Sequence, residues 1–434
     1  MKRIISALII LLIVAACTVS VSAIDYGCKV EPVSNAIYVE ELNSGTTVFQ
    51  YNADEIVYPA STTKIMTFII VAENIPDYDA VSIKVTSEAL ASMDPESSVM
   101  GLADHIGESF TVRDLLYGLM LPSGNDAALV LADYVGHGVA GFVDLMNRKA
   151  AQIGCANTHF TSPHGLHDSQ HYTTARDMAT ITKFALHKKD FMTICNTVSY
   201  TPAGFSEPIK TTNYLIDSSA EGGKYYFPDA KGIKTGFTTE AGKCLVSTAE
   251  RDGYNYLCVA LGAGYSYAED VNYAMLDTAD IYDWALSSLK TQTVYKSAET
   301  VTTIPVEYVW GNKMLALVSE DSVSALLPDD YDPYLIATKI ECKDYATAPV
   351  EKGEVMGTLT VYYDNTMIGK TNVIATEKVD RHITNLIAHV IVDWLRAHVF
   401  ITVLIIVVLL GVILIIIDRI RMRKILRERA RKDK

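Results

Sequence analysis

The sequence has little of what marks a non-globular chain. Its 434 residues hold 25 glycines and 13 prolines, without the glycine period of a collagen or the bias of a disordered segment. Seven cysteines in 434 residues, scattered with no Cys-x-x-Cys pair, are far too sparse for a small disulfide-built scaffold. Charge is sparse and of the wrong sign for nucleic acid: 37 Lys+Arg against 51 Asp+Glu give −14, whereas neutralising phosphates needs a concentrated basic face. What is abundant is apolar side chain, at 49%, in a length that suits two or three globular domains.

The basic residues that do occur crowd the two ends. Residues 418–434 carry 9 Lys/Arg and 3 Asp/Glu, so +6 there and +2 from Lys2 and Arg3 leave −22 for residues 4–417. At the start, Lys2 and Arg3 precede an apolar stretch from Ile4 to Ala16 and small residues ending Val21-Ser22-Ala23. That order predicts a secretory signal over 1–23, cleaved after Ala23. An uncleaved anchor, or lipoprotein processing at Cys17, are the alternatives. At the other end, Val399 to Ile417 is an uncharged apolar run long enough to cross a bilayer core. Arg419, Arg421, Arg423 and Lys424 follow at once, which predicts a cytoplasmic C-terminus at 418–434 and an extracytoplasmic bulk. Export permits disulfides, but the cysteine spacing demands none; Cys244 and Cys258, inside strand-like runs, are expected to be packed thiols.

Between the ends, Ile37 to Asn52 predicts a hairpin around Asn43-Ser44-Gly45, and Cys244 to Leu261 another around Asp252-Gly253. Helical spacing marks Thr63 to Glu73, Val112 to Leu119, Asn125 to Val135, Ala175 to Leu186 with Thr173-Thr174 as caps, and about Asp270 to Leu289. Strands at both ends with helices between predict an α/β (α+β) domain over 24–291, one sheet covered by helices. Beyond Thr291, short Val/Thr/Tyr-rich runs (Ile304 to Val309, Met314 to Val318, Gly357 to Tyr363) predict a small all-β domain over 292–378. Ile383, Leu386, Ile387, Val390, Ile391, Trp394 and Leu395 then repeat at helical spacing, an amphipathic stem over 379–398 leading into a transmembrane helix at 399–417.

Three short patterns carry chemistry. Ser61-Thr62-Thr63-Lys64 opens an apolar helix, placing Ser61 and Lys64 on one face. A serine becomes nucleophilic when a base takes its proton, and a lysine can be that base once desolvation or a neighbouring cation lowers its pKa. The pattern alone is weak, since Ser287-Ser288-Leu289-Lys290 repeats it. Ser123-Gly124-Asn125, between Pro122 and an apolar helix, offers a hydroxyl and an amide; taken alone it reads equally as a helix cap. Lys234-Thr235-Gly236 offers a lysine and a hydroxyl that can clamp a carboxylate, with a glycine that would leave a strand edge open to a substrate backbone.

In this order and spacing the chain resembles a low-molecular-mass penicillin-binding protein, a serine-type D-alanyl-D-alanine carboxypeptidase. The resemblance extends to Tyr58-Pro59-Ala60 before Ser61, Leu121-Pro122 before Ser123, Phe237-Thr238 after Gly236, His164-Gly165-Leu166, Tyr172 to Ala179, and Ala348 to Gly353 in the β domain. It implies a β-lactamase/transpeptidase-like antiparallel sheet flanked by helices. It also implies the substrate, peptidoglycan stem peptides ending in D-Ala-D-Ala, with β-lactam antibiotics as inhibitors. Ser61 would be the nucleophile, Lys64 the base and Ser123 a proton relay, while Asn125, Lys234, Thr235, Gly236 and Phe237 bind substrate and oxyanion. Lys234 should also depress the pKa of Lys64. The departure from several members is the added transmembrane run.

Neither a metal nor another cofactor is expected. His159, His164, His167 and His171 cluster with Asp168, but they lack the i, i+4 histidine pair with an intervening glutamate of a helical zinc site. They read as a hydrogen-bonded loop beside the cleft. A class A β-lactamase would need a glutamate to activate its deacylating water, and no Glu-x-x-Leu-Asn-like segment lies between Ser123 and Lys234. A non-catalytic wall-binding protein would lose the serine or lysine. A D,D-endopeptidase acting on cross-links would keep every motif.

Overall fold

The computed structural model describes residues 24, 26–264 and 271–432; the signal sequence expected at 1–23 lies outside the described residues. The two hairpins form where turn chemistry places them. Strands β1 (Ala36–Glu41) and β2 (Thr46–Tyr51) pair antiparallel across Asn43-Ser44-Gly45, where the Glu41 carboxylate accepts from Ser44 N (2.8 Å) and Asn43 Nδ2 (2.9 Å). Helices follow: α1 (Lys64–Asn74), α2 (Val112–Met120), α3 (Asn125–Gly136), α4 (Val139–Gln152), α5 (Ala175–Leu186) and the short α6 (Phe191–Cys195). Strands β3 (Ala230–Thr238), β4 (Gly242–Arg251) and β5 (Tyr254–Ala263) complete the sheet, and α7 (Tyr273–Ser288) closes the unit. β4 and β5 are joined by Asp252 and Gly253, both at positive φ (+55° and +85°), as a two-residue hairpin following the strand twist requires.

The sheet order is β2-β1-β5-β4-β3, all neighbours antiparallel. Both faces are covered, so β1 is buried along its whole length. Ala36, Tyr38, Val246 and Val259 meet Ile65, Phe68 and Ile69 of α1, while Ile37, Val39, Leu245 and Cys258 meet Met275, Ile281 and Tyr282 of α7. Each fully buried Ile, Leu or Phe stabilises this sandwich by about 1.5–3 kcal/mol. Side-chain caps set the starts of α2 and α5. Thr111 and Asp114 form a reciprocal capping box on α2, and Thr174 Oγ1 accepts from Asp177 N (3.0 Å) at the start of α5. Helix α4 was not among the segments singled out by spacing. Only Phe142, Met146 and Ala150 are buried, a narrow stripe among small and polar residues.

The chain divides into two compact units, Ile24–Lys290 with Leu326–Tyr331, and Thr291–Ala325 with the residues from Asp332 onward. The second holds a six-stranded sheet of β6 (Thr300–Glu307), β7 (Lys313–Ser319), β8 (Ile336–Cys342), β9 (Ala346–Thr347), β10 (Val355–Tyr363) and β11 (Thr366–Ala375), in the order β8-β10-β11-β7-β6-β9. Here burial alternates: Leu315, Leu317, Ile304 and Val306 point to the core and their neighbours outward. Then come α8 (Ile383–Ala397), with Ile387, Val390, Ile391 and Trp394 exposed, and α9 (Val399–Lys432). Within α9, Val399–Arg427 is long and apolar enough to cross a membrane.

Candidate active site

Ser61 lies in a single 3-10 turn, Ala60–Thr63, that feeds α1. The turn is tied by its own threonines: Thr62 Oγ1 donates to Pro59 O (2.7 Å) and Thr63 Oγ1 to Ala60 O (2.7 Å). Ala60 takes φ +45°, the left-handed region that an L-residue adopts only under constraint. Three residues on, Lys64 is fully buried, and its Nζ donates to Ser61 Oγ (2.9 Å), Asn125 Oδ1 (2.6 Å) and His164 O (2.9 Å). These three acceptors match the three N–H bonds of an ammonium; once deprotonated, the amine keeps two and can turn its lone pair to Ser61. Burial holds the Lys64 pKa well below the usual lysine range. The nearby charge of Lys234 lowers it further, and Asp126 opposes both.

The Ser-Gly-Asn segment enters α3 by a bent route. Ser123 has φ +63°, and its Oγ is buried with no hydrogen-bond partner. Among the described residues it makes no hydrogen bond to Ser61, Lys64 or Lys234. Asp126, also fully buried, accepts from four backbone N–H groups, those of Met100, Gly101, Leu102 and Ala127, at 2.8–2.9 Å. It thereby fastens the loop before Leu102 to the start of α3, and Asn125 N donates to Ser98 O (2.8 Å) in the same loop.

Lys234, on β3, is buried and donates to Thr235 O (2.9 Å); burial lowers its pKa to about 7. The Thr235 hydroxyl is hydrogen-bonded to that of Thr212, whose backbone N–H donates to Leu121 O (3.0 Å). Gly236 lies on β3, the edge strand of the sheet, and a close approach adds a second reason for glycine there. A Cβ there would stand 3.0 Å from Ser61 N and 3.1 Å from Pro59 O, so the missing side chain lets β3 press against the serine turn. Phe237 is partly exposed (39%), with the Lys243 ammonium 4.4 Å from its ring centroid.

A search of family models finds D-alanyl-D-alanine carboxypeptidase (peptidase family S11) over residues 29–264, more than half the chain, and the C-terminal domain of penicillin-binding protein 5 over 289–381. The chain belongs to the serine D-alanyl-D-alanine carboxypeptidase family. Among curated relatives it is 29% identical to D-alanyl-D-alanine carboxypeptidase DacF of Bacillus subtilis, over 87% of this chain and 94% of that protein. To DacC of Escherichia coli it is 32% identical over 78% and 82%. Among solved structures it is similar to DacD of Francisella tularensis, with TM-score 0.62, 26% identity, and coverage of 83% of this chain and 96% of the other.

Within this carboxypeptidase fold the second Ser-x-x-Lys pattern lies elsewhere. Ser287 is exposed at the end of α7, where its Oγ donates to Asp283 O (2.6 Å), and Lys290 Nζ donates to Leu286 O (3.3 Å). The histidine loop borders the site, with separate duties. His164 supplies the backbone carbonyl for Lys64, His167 meets Tyr58 edge-on (4.7 Å), and His159 Nδ1 bonds Gln170 O (2.6 Å). His171 is buried; its Nδ1 accepts from Thr161 N (3.0 Å) and its Nε2 faces Thr63 Oγ1 (2.8 Å). Burial pushes its pKa down to about 4 and that of His164 to about 3. Among the described residues no group of three or more His, Cys, Asp or Glu could hold a metal. Sequence reasoning gave no role to Asp126, Thr212, Gly165 or the His164 carbonyl. Their partners lie far along the chain, and no local pattern marks such contacts. Cys244 and Cys258 are buried free thiols.

Proposed function

We propose that this carboxypeptidase removes the terminal D-alanine from peptidoglycan stem pentapeptides through an acyl-enzyme on Ser61. The observation that carries the reading is the buried Lys64 amine, 2.9 Å from Ser61 Oγ and held below its ordinary pKa. Neutral Lys64 takes the Ser61 proton as Oγ attacks the carbonyl of the last peptide bond. Backbone N–H groups of Ser61 and Phe237 hold the oxyanion. Collapse breaks the C–N bond, and Lys64 returns the proton through the Ser123 hydroxyl to the departing D-alanine amine. Water then hydrolyses the ester. Asn125 orients Lys64 and the substrate amide, while Lys234 and Thr235 clamp the terminal carboxylate and Gly236 lets their strand close on the serine. A β-lactam, with its strained amide beside a carboxylate, acylates the same serine.

The domain organisation proposed is a signal at 1–23, the catalytic domain over 24–291, the β domain over 292–378, a stem at 379–398, a transmembrane helix at 399–417 and a cytoplasmic tail at 418–434. The catalytic domain is then extracytoplasmic. The purified full-length protein in detergent should release free D-alanine from a stem pentapeptide. Release of monomers from a cross-linked dimer at a comparable kcat/KM would instead support the D,D-endopeptidase reading. In membranes, alkaline carbonate should leave the full-length protein in the pellet, because an uncharged apolar span is held by the hydrophobic effect and not by headgroup charge. Its extraction would mean that α9 only lies on the surface.

A further inference from the structure

We infer that His171 is a positioning residue for the Ser61 turn, acting through Thr63 as a buried, neutral brace. This rests on Ser61 being the nucleophile. The hydrogen-bond directions fix the imidazole tautomer. Nδ1 must accept from Thr161 N (3.0 Å), so the ring proton sits on Nε2 and is donated to Thr63 Oγ1 (2.8 Å). Thr63 Oγ1 in turn donates to Ala60 O (2.7 Å). The chain of donors therefore ends on the carbonyl of the one residue in the turn held at positive φ, directly before Ser61.

The same loop closes on this carbonyl from a second direction. At Gly165 (φ +86°) a Cβ would stand 1.9 Å from Ala60 O and 2.6 Å from Thr63 Oγ1, so only glycine lets the loop seat there. Its neighbour His164 gives Lys64 Nζ a backbone acceptor (2.9 Å). One short segment thus fixes nucleophile and base together: the His164 carbonyl locates the amine, and His171 keeps Ala60 in the strained conformation that aims Ser61 at it. Thr63 and His171 are 0% and 2% exposed, so no solvent substitutes for either partner. The imidazole touches neither Ser61 Oγ nor Lys64 Nζ by hydrogen bond, so its action is on geometry.

A brace of this kind affects the rate of acylation more than binding. The test is stopped-flow acylation of the full-length protein in detergent by a fluorescent penicillin, separating non-covalent affinity from the acylation rate constant. Thr63→Val and His171→Leu should keep affinity within about threefold and lose roughly 10–100-fold in acylation rate, the scale of a misplacement near 1 Å. Thr63→Ser and His171→Gln, which restore the relay hydroxyl and an N–H donor, should recover most of that loss. The double variant should be no worse than the poorer single one, because both cut the same relay. Ser61→Ala is the control: labelling that persists in it overturns the nucleophile assignment itself. With Ser61→Ala silent, wild-type acylation in a cooperatively melting Thr63→Val overturns the brace. So do losses that multiply in the double variant, or Ser and Gln replacements no better than Val and Leu. Thr63→Val decides alone should His171→Leu fail to fold.

Discussion

The same four-residue pattern occurs twice in this catalytic unit, and only one copy is built into a site. At Ser61–Lys64 the lysine is fully buried, gives its three N–H bonds to a serine, an asparagine and a backbone carbonyl, and has its pKa driven down. At Ser287–Lys290 the serine bonds back to its own helix and the lysine donates to Leu286 O at a helix end. Spacing is common to both; full burial is not. A lysine serves as a base at neutral pH once desolvation lowers its pKa, as it does for Lys64 sealed under α3 and the histidine loop. The chemistry thus belongs to the packing around the motif.

The largest expected effect breaks that comparison outright. Ser61→Ala should abolish covalent labelling by a fluorescent penicillin, and Ser287→Ala should leave it unchanged. Gel fluorescence after a saturating incubation reads both, and any label that moves to Ser287 would return the two copies to equal standing.

A smaller effect separates the charges around Lys64. Lys234→Gln removes the neighbouring cation and the carboxylate clamp, so kcat/KM should fall about 30-fold or more, the equivalent of roughly 2 kcal/mol for a charge-assisted contact. Lys64 then loses a repulsive neighbour. Its pKa rises, and the acidic limb of the pH–rate profile should move to higher pH. With the Lys234 pKa at about 7, wild-type kcat/KM should also decline on the alkaline side as that ammonium empties. Lys234→Arg keeps a charge that does not titrate, so it should retain measurable acylation and lose the alkaline limb. An unshifted profile in Lys234→Gln would show that the lysine serves only the fold.

Legibility followed the same division between pattern and packing. Hairpins and helices were visible because turn chemistry, caps and apolar content are local: Asp252-Gly253, Thr174 and the apolar run of α1 each carry their own signal. The β domain was legible from the Val/Thr/Tyr richness of its short runs, and the burial of Leu315 and Leu317 between less buried neighbours appears only in the fold. Helix α4, with three buried positions, gave too narrow a stripe. In the site, Ser61, Lys64, Ser123, Asn125 and Lys234 were named from motifs. Of what surrounds them, the histidine loop was read as lying beside the cleft, but the individual pairings were not named, because Thr63 meets His171 across 108 residues and Asp126 binds backbone amides around Met100, and neither pairing leaves a local trace. At Gly236 the folded chain adds a second reason for glycine that no local pattern carries, since Ser61 N lies 3.0 Å from where its Cβ would be.

The smallest effect is on stability, and it runs opposite to activity. In the unfolded chain Lys234 titrates near 10.4, as lysines ordinarily do; in the fold, burial lowers this to about 7. Between those values the unfolded state holds a proton that the folded state has lost. Stability therefore falls as pH drops from about 10 towards about 7, and below that stays at its lower level. The full shift corresponds to about 5 kcal/mol at about 1.4 kcal/mol per unit, of which relaxation around the charge should leave roughly 2–4 kcal/mol. Lys234→Met keeps the length and apolar stem and removes the charge. It should raise the melting temperature at about pH 6 by roughly 5–10 °C while acylation is lost. The gain should shrink to roughly 0.3–0.4 kcal/mol near pH 10.5, where the wild-type lysine is neutral in the fold and about half neutral in the unfolded chain. Lys290→Met, at the other copy of the pattern, should change stability by no more than about 0.5 kcal/mol at either pH. Thermal melts of the three proteins at the two pH values decide the matter. An equal gain at both pH values would trace the effect to packing, and no gain at all would mean that Lys234 carries no desolvation cost to remove.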